Sequence, residues 1–396
     1  MNPLNNPFSP GAGTQPPELA GRDDLRKTLQ VAMERARKGL SARSVVMTGL
    51  RGVGKTVLLD RVRLDAEDAG FEALRIEAPE KRSLPGMLLP EMRLTLLRLS
   101  RKQQSKELAL RALRGLAGFA KALKVKFGDI EVGLDQEPEV GLADNGDLEQ
   151  DLQMLMEAVG RAAAAASTAV ILFIDELQYV KEKQLAALIT AMHRMSQRQL
   201  PVLMIGAGLP QIPGQMGKAK SYAERLFEFP VIGALPKEAA FRAIEVPVRG
   251  QNAAIEAAAL ERIYDKTQGY AYFLQEWGKH SWDVAEDALI REQDVETAAL
   301  TAVAALDDSF FRVRFDRMTP VEKRYLRAMA ELGSGPHRSG DVADSLERKV
   351  QSLGPVRAKL MQKGMIWSPS HGDTAFTVPL FDEFMKRAMP GTDWNH

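Results

Sequence analysis

Short, mainly apolar strand-like segments alternate with longer stretches of helical spacing along the first 235 residues. Ser44-Val45-Val46-Met47 lies in a run over 44–48, and further runs cover 71–76, 169–174, 201–205 and 227–232. A strand buried on both faces reads as a continuous apolar run, whereas a half-exposed strand alternates. Between the runs, 23–39 is a charged amphipathic stretch, 56–69 and 181–197 have helical spacing, and 147–166 is a helix capped by Asn145 or Asp147. This alternation predicts a parallel sheet covered by helices on both faces. Residues 236–290 are helical throughout, broken at Gly250 and Gly269, and 294–315 continue as a connecting helix.

The pattern changes at Thr319-Pro320, a threonine N-cap with proline at the first helical position. That helix runs to about Leu332 and stops at Gly333-Ser334-Gly335-Pro336. Ser339 caps a second helix over 340–346, and a third covers 352–363 with Gly364 as its stop. Two short strands, 365–367 and 375–378, flank a turn at 368–373. Three helices followed by a hairpin predict a winged helix-turn-helix, whose third helix enters the DNA major groove. Here it offers Arg357, Lys359 and Lys363, with Arg348 and Lys349 just ahead. The same fold also serves as a protein-docking platform, and both uses stay open.

Two motifs carry chemistry. Gly49-Leu50-Arg51-Gly52-Val53-Gly54-Lys55-Thr56 fits G-x-x-x-x-G-K-[ST], with a strand before it and a helix starting at Thr56-Val57 after it. Its glycines let backbone N–H groups approach phosphate oxygens, and the helix start turns its positive dipole end toward the anion. Lys55 reaches the β- and γ-phosphates of ATP as a point charge, and the Thr56 hydroxyl is a Mg2+ ligand. The second motif is the run 169–174 ending in Asp175-Glu176. Ligand chemistry in parallel sheets gathers at the strands' carboxyl ends. Asp175 is therefore placed to hold Mg2+, and Glu176 to polarise the attacking water as general base.

A third feature is the basic stretch from Arg101 to Lys126. It carries Arg101, Lys102, Lys106, Arg111, Arg114, Lys121, Lys124 and Lys126, with Glu107 as its acid. Residues 108–123 have helical spacing, and 125–134 alternate like a hairpin. Such a helix touches nucleic acid or forms a solvated face.

Composition narrows the class. The 396 residues are 45% hydrophobic and 27% charged, which suits globular domains with real cores. A net charge of +1 confines any nucleic-acid contact to local patches. Without cysteine there are no disulfides, thiolate metal sites or cysteine nucleophiles, which fits a reducing, cytoplasmic setting. The longest uncharged apolar stretch, 162–174, is too short to cross a bilayer. The first 18 residues, with five prolines, read as a flexible arm or an extended strap, unlike a secretory signal. No internal repeat is evident.

Together these motifs resemble the AAA+ ATPases of the origin-initiator clade and their relatives near the STAND signalling class. The shared layout is phosphate loop, acidic strand, helical lid, then winged helix. The resemblance divides the chain into an arm (1–18), a P-loop ATPase core (19–235) with a basic insertion (84–146), a helical lid and connector (236–316) and a winged helix (317–390). It implies that Leu19-Ala20-Gly21-Arg22 closes over the adenine. It also implies that Arg225 reaches the γ-phosphate held by a neighbouring subunit, the alternative being a surface salt bridge. Two departures stand out. Gly206-Ala207-Gly208 occupies the place of a polar sensor, and 267–274 resembles the second sensor region but has no arginine. Both imply slow hydrolysis. The expectation is an ATPase that assembles on DNA as an ATP-dependent homo-oligomer. The alternative is a STAND-type switch whose winged helix docks protein.

Overall fold

The computed structural model describes residues 1–78, 83–123, 137–391 and 394. The chain forms two compact units: Arg22–Gly49 with Lys55–Ile232, and Met1–Gly21 with Leu50–Gly54 and Gly233–His396.

The first unit is built on a sheet. Helix α1 (Asp23–Arg37) has acids in its first turn and arginines in its last, as the helix dipole favours. It buries Leu29, Met33 and Ala36, one face at helical spacing. Strand β1 (Ser44–Thr48) is buried at every position and leads through the glycine loop into α2 (Lys55–Asp68). Then follow β2 (Glu72–Glu77), α3 (Leu84–Ser100), α4 (Lys106–Ala122), α5 (Leu148–Ala165) and β3 (Val170–Asp175). The unit closes with α6 (Glu182–Gln197), β4 (Val202–Gly208), α7 (Ile212–Ala219), α8 (Ala223–Leu226) and β5 (Phe227–Glu228). The five strands are parallel in the order β2-β3-β4-β1-β5. Every residue of β1, β3 and β4 is buried, which is why these three read as unbroken apolar runs. The registers Thr48↔Gly208 and Ile174↔Gly206 bring the carboxyl ends of the central strands to one edge.

One expectation needs correction here. The last strand, read over 227–232, is only Phe227–Glu228. Beyond it Pro230 has no N–H to give a ladder, and pairing with β1 continues as a bridge between Thr48 and Val231. The insertion opens with helix α3. The Ser83 hydroxyl accepts from the Gly86 N–H, and Pro85 sits in the first turn. Leu88, Met92 and Leu96 of α3 share one core with Leu113 and Leu116 of α4 and Leu152 and Leu155 of α5. The hairpin read over 125–134 and the residues Lys124 and Lys126 lie outside the described residues.

The second unit is mainly helical. It contains α9 (Lys237–Gly250), β6 (Ala254–Ile255), α10 (Ala257–Thr267), α11 (Ala271–Val284), β7 (Leu289–Ile290) and α12 (Glu292–Ala305). The stretch read as wholly helical thus carries a two-residue parallel pair, β6 with β7. A π-helical turn, Leu306–Phe311, leads to α13 (Arg312–Phe315). The remainder is α14 (Pro320–Glu331), β8 (His337–Arg338), α15 (Ser339–Ser345), α16 (Val350–Gln362), β9 (Ile366–Trp367), β10 (Asp373–Phe376) and α17 (Phe381–Ala388). Thr319 and Glu322 form a reciprocal capping box on α14. Ser339 does not cap α15: Arg338 holds the cap position, and the Ser339 hydroxyl donates to the Gly372 carbonyl. Strands β8, β10 and β9 form an antiparallel sheet.

The N-terminal arm lies along α11. Phe8 is buried, and a Cβ on Gly278 would stand 2.8 Å from its ring. The Asn6 amide donates to the Lys279 carbonyl and to Asp283, and the Trp282 indole donates to the Asn2 carbonyl. Among the described residues no helix is long and apolar enough to cross a membrane.

Candidate nucleotide-binding site

Gly49, Lys55, Thr56 and Val57 belong to the sheet unit, together with Asp175 and Glu176. The Gly49 N–H donates to the Gly208 carbonyl at 3.2 Å, so the loop departs from the carboxyl edge of the sheet. Lys55 opens α2, and its ammonium folds back to the Gly49 carbonyl at 2.9 Å. The Thr56 hydroxyl donates to Asp175 Oδ2 at 2.6 Å. Asp175 ends β3, is 8% exposed, and accepts the Glu176 N–H on its other oxygen at 2.8 Å. Burial pushes the Asp175 carboxyl above its ordinary range. The Thr56 hydrogen bond and the Lys55 charge oppose that shift, and the Glu176 charge adds to it. A buried carboxylate left short of positive charge, beside a hydroxyl that shares its oxygen, fits a hard divalent cation. Among the described residues no group of three or more His, Cys, Asp or Glu is set to hold a metal. One carboxylate and one hydroxyl is the sparse protein contribution Mg2+ takes when phosphates complete its shell.

Glu176 has φ 52° and ψ 40°, the left-handed region that a non-glycine residue enters at a cost of about 1–2 kcal/mol. The chain turns there into a 3-10 turn, Leu177–Tyr179. The Gln178 amide donates to Glu176 Oε2, and its carbonyl oxygen accepts the Leu209 N–H at 3.1 Å. Strand β4 ends in glycines because this turn lies on it. A Cβ on Gly206 would come 2.3 Å from Leu177 Cδ1, and one on Gly208 would come 3.0 Å from Gln178 Oε1.

Leu50–Gly54 group with the helical unit. Gly52 and Gly54 have φ 83° and 92°, conformations that glycine adopts freely. Around Gly52 stand Tyr270, Tyr272 and Phe310; a Cβ there would lie 3.0 Å from the Tyr270 ring. Tyr272 and Phe310 stack with ring centroids 4.6 Å apart, and the Arg314 guanidinium lies over Phe310. The Tyr270 hydroxyl donates to the Arg51 carbonyl, and the Tyr272 N–H to the Gly52 carbonyl at 3.1 Å. Burial raises the Tyr270 phenol far above its ordinary value, so it stays a neutral donor. On the other side the Arg51 N–H donates to the Thr377 carbonyl at 3.1 Å, and Arg51 Nε to the Gly364 carbonyl at 3.3 Å. Leu50 and Arg51 are half-buried and Val53 is buried. The segment 267–274 lacks an arginine, yet it meets the loop through Tyr270 and Tyr272.

The remaining candidates lie as follows. Arg22 is half-buried at the cap of α1, and burial depresses its guanidinium. Arg225, on α8, is exposed. No ion pair involves it among the described residues, so the surface salt bridge considered for it does not form there. Arg111 and Arg114 of α4 both pair with Glu139, while Arg101, Lys106 and Lys121 are exposed. On the C-terminal module the three expected DNA contacts divide. Arg357 is held by Thr374, Ser368 and the Asp373 carbonyl. Lys363 is held by Glu322 at 2.7 Å and by the Arg317 carbonyl. Lys359, Arg348 and Lys349 are exposed. Arg357 and Lys363 therefore also brace the module internally. Motif reading did not single out Gln178, which donates to Glu176 in the sheet unit.

The parallel five-stranded α/β sheet, with the glycine loop following β1 and Asp175-Glu176 at the carboxyl end of β3, is consistent with the fold of P-loop nucleotide-binding proteins. Residues 18–205 match the AAA ATPase domain family. Residues 308–385 match a family described as a domain of unknown function (DUF8462). The fold is similar to that of the Walker-type ATPase PABY2304 of Pyrococcus abyssi, at a TM-score of 0.58 and 16% identity, over 96% of this chain and 99% of that one. Further matches include the Thermotoga maritima RuvB Holliday junction branch migration motor (TM-score 0.44, 16% identity, 92% and 96% coverage). Another is the Aeropyrum pernix ORC1 protein in complex with DNA (TM-score 0.46, 13% identity, 94% of each chain). No curated protein matches the chain.

Proposed function

We propose that this chain is an AAA+ ATPase that binds ATP with Mg2+, hydrolyses it slowly, and uses the nucleotide to control assembly on DNA. The carrying observation is the Thr56 hydroxyl 2.6 Å from a buried Asp175 carboxylate, at the start of the helix that Lys55 opens. Lys55 and the backbone from Gly49 to Thr56 bind the phosphates. Thr56 and Asp175 would hold Mg2+, which supplies charge neutralisation at the β- and γ-oxygens when bound. Glu176 accepts the proton of the attacking water. Arg22 lies before the first helix, on the adenine side in this reading. Arg225, exposed and without an intrachain ion pair among the described residues, is available to a γ-phosphate bound by a second copy. Strand β4 ends in glycine and 267–274 carries no arginine, which supports low turnover.

DNA association rests on two sets of exposed cations. One is Arg348, Lys349 and Lys359, ahead of and on α16 of a module we read as a winged helix. The other is Arg101, Lys106 and Lys121 of the insertion. Such contacts make binding steeply salt-dependent. The test is Glu176→Gln. Turnover falls by at least about tenfold, given the usual contribution of a general base. ATP binding and ATP-stimulated DNA binding persist. Unchanged turnover removes Glu176 from its role, and absence of DNA binding at low salt, with and without ATP, removes the DNA.

One observation favours a second reading, a STAND-type switch whose C-terminal module docks protein. Arg51 is held by the carbonyls of Thr377 and Gly364, both in that module. In this reading the loop's conformation is tied to the module, and nucleotide binding releases it for a protein partner.

A further inference from the structure

We propose that Gln178 is the positioning residue for the Glu176 carboxylate, supplying from the 3-10 turn the polar group that β4 lacks. The inference rests on the reading of Glu176 as general base.

Three observations converge on this side chain. First, its amide is committed at both ends: the NH2 group donates to Glu176 Oε2 and the carbonyl oxygen accepts the Leu209 N–H at 3.1 Å. A carboxylate needs a donor and a backbone N–H needs an acceptor, so only one orientation of the amide satisfies both. Second, the end of β4, Gly206-Ala207-Gly208, carries no polar side chain, and the face its two glycines present is already occupied. A Cβ on Gly206 would meet Leu177 at 2.3 Å, and one on Gly208 would meet Ile212 at 2.8 Å and the Gln178 amide oxygen at 3.0 Å. Gln178 fills the place such a side chain would take. Third, Glu176 stands in the left-handed region, at φ 52°. A strained residue with a flexible two-methylene side chain needs an outside partner to hold one carboxylate orientation. The Gln178 donor occupies one oxygen and leaves the other for water. Because Leu209 directly follows β4, the carboxylate is referenced to the central strand of the sheet.

Gln178→Met keeps the volume and removes both hydrogen bonds. Gln178→Glu keeps the acceptor for the Leu209 N–H but cannot donate to Glu176. Both variants lower kcat by about 10- to 100-fold, the scale of a misplaced reacting group, with KM for ATP within about threefold. In Glu176→Gln the further change Gln178→Met costs nothing more, because the two act as one unit. Thermal unfolding confirms that each variant folds. A role limited to bracing the turn gives the opposite pattern: Gln178→Glu retains wild-type kcat, and the effects of Gln178→Met and Glu176→Gln add. Either result overturns the proposal. If Glu176→Gln itself leaves turnover intact, the general-base reading fails first, and the two failures are told apart.

Discussion

Asp175 concentrates the conflict between stability and function at this site. Its carboxylate is buried among apolar strands, and the Thr56 hydroxyl and the Lys55 charge meet only part of its need. An amide of the same shape removes that desolvated charge. Asp175→Asn therefore unfolds at the same or a higher temperature than the wild type without metal or nucleotide. The stabilisation from saturating Mg2+ and ATP, about 2.7 kcal/mol at 100-fold excess over Kd, is lost in it. Thermal unfolding with and without ligand checks both halves, and a retained ligand shift contradicts the assignment. The glycine loop and the two acids were legible as motifs because each is a continuous stretch of sequence next to a buried strand. Gln178 was not, since its role comes from Leu209 and two glycines on another strand. The internal partners of Arg357 and Lys363 were hidden for the same reason: Thr374 and Glu322 are brought to them only by the fold.

At the level of elements, long and fully buried segments were the ones readable in advance. Strands β1, β3 and β4 have no solvent face to interrupt their apolar runs, and α5 announces itself with Asp147, whose side chain accepts the Gln150 N–H. The two-residue strands β6, β7 and β8 are shorter than any periodicity and form only when a partner strand arrives. The start of α14 was legible from Thr319-Pro320, but its reinforcement was not. Glu322 is buried, and burial alone would raise its carboxyl. The Lys363 ammonium and Thr319 outweigh that and hold it below its ordinary value. A carboxyl lowered in the folded state adds stability above its unfolded value, and that stability is lost as pH falls through the folded value. Glu322→Gln therefore costs about 1–2 kcal/mol at neutral pH, the scale of a hydrogen-bonded ion pair with one partner partly exposed. Hydrogen exchange of the α14 amides should show the difference between variant and wild type shrinking as pH drops below the ordinary carboxylate range. A pH-independent difference rules out the ion pair as its source.

For the whole molecule, the proposal couples nucleotide state to assembly. Arg225→Ala leaves the ATP affinity of the isolated chain unchanged, because in the proposed reading this arginine serves a neighbour's phosphate. It lowers turnover by at least about tenfold, as loss of an arginine finger does, and reduces the ATP-dependent increase in mass seen by light scattering. Intact assembly and turnover in that variant would return Arg225 to the ordinary surface. Beneath these expectations stands a single claim, that the segment ending at Thr56 and the carboxylate of Asp175 grip a triphosphate together with its metal. Titration calorimetry of the purified chain with ATP in magnesium tests it directly. The account predicts saturable binding that Lys55→Ala weakens by about 10- to 100-fold, the worth of a charge-assisted phosphate contact. The absence of heat or affinity for any nucleoside triphosphate in the wild-type protein would contradict it.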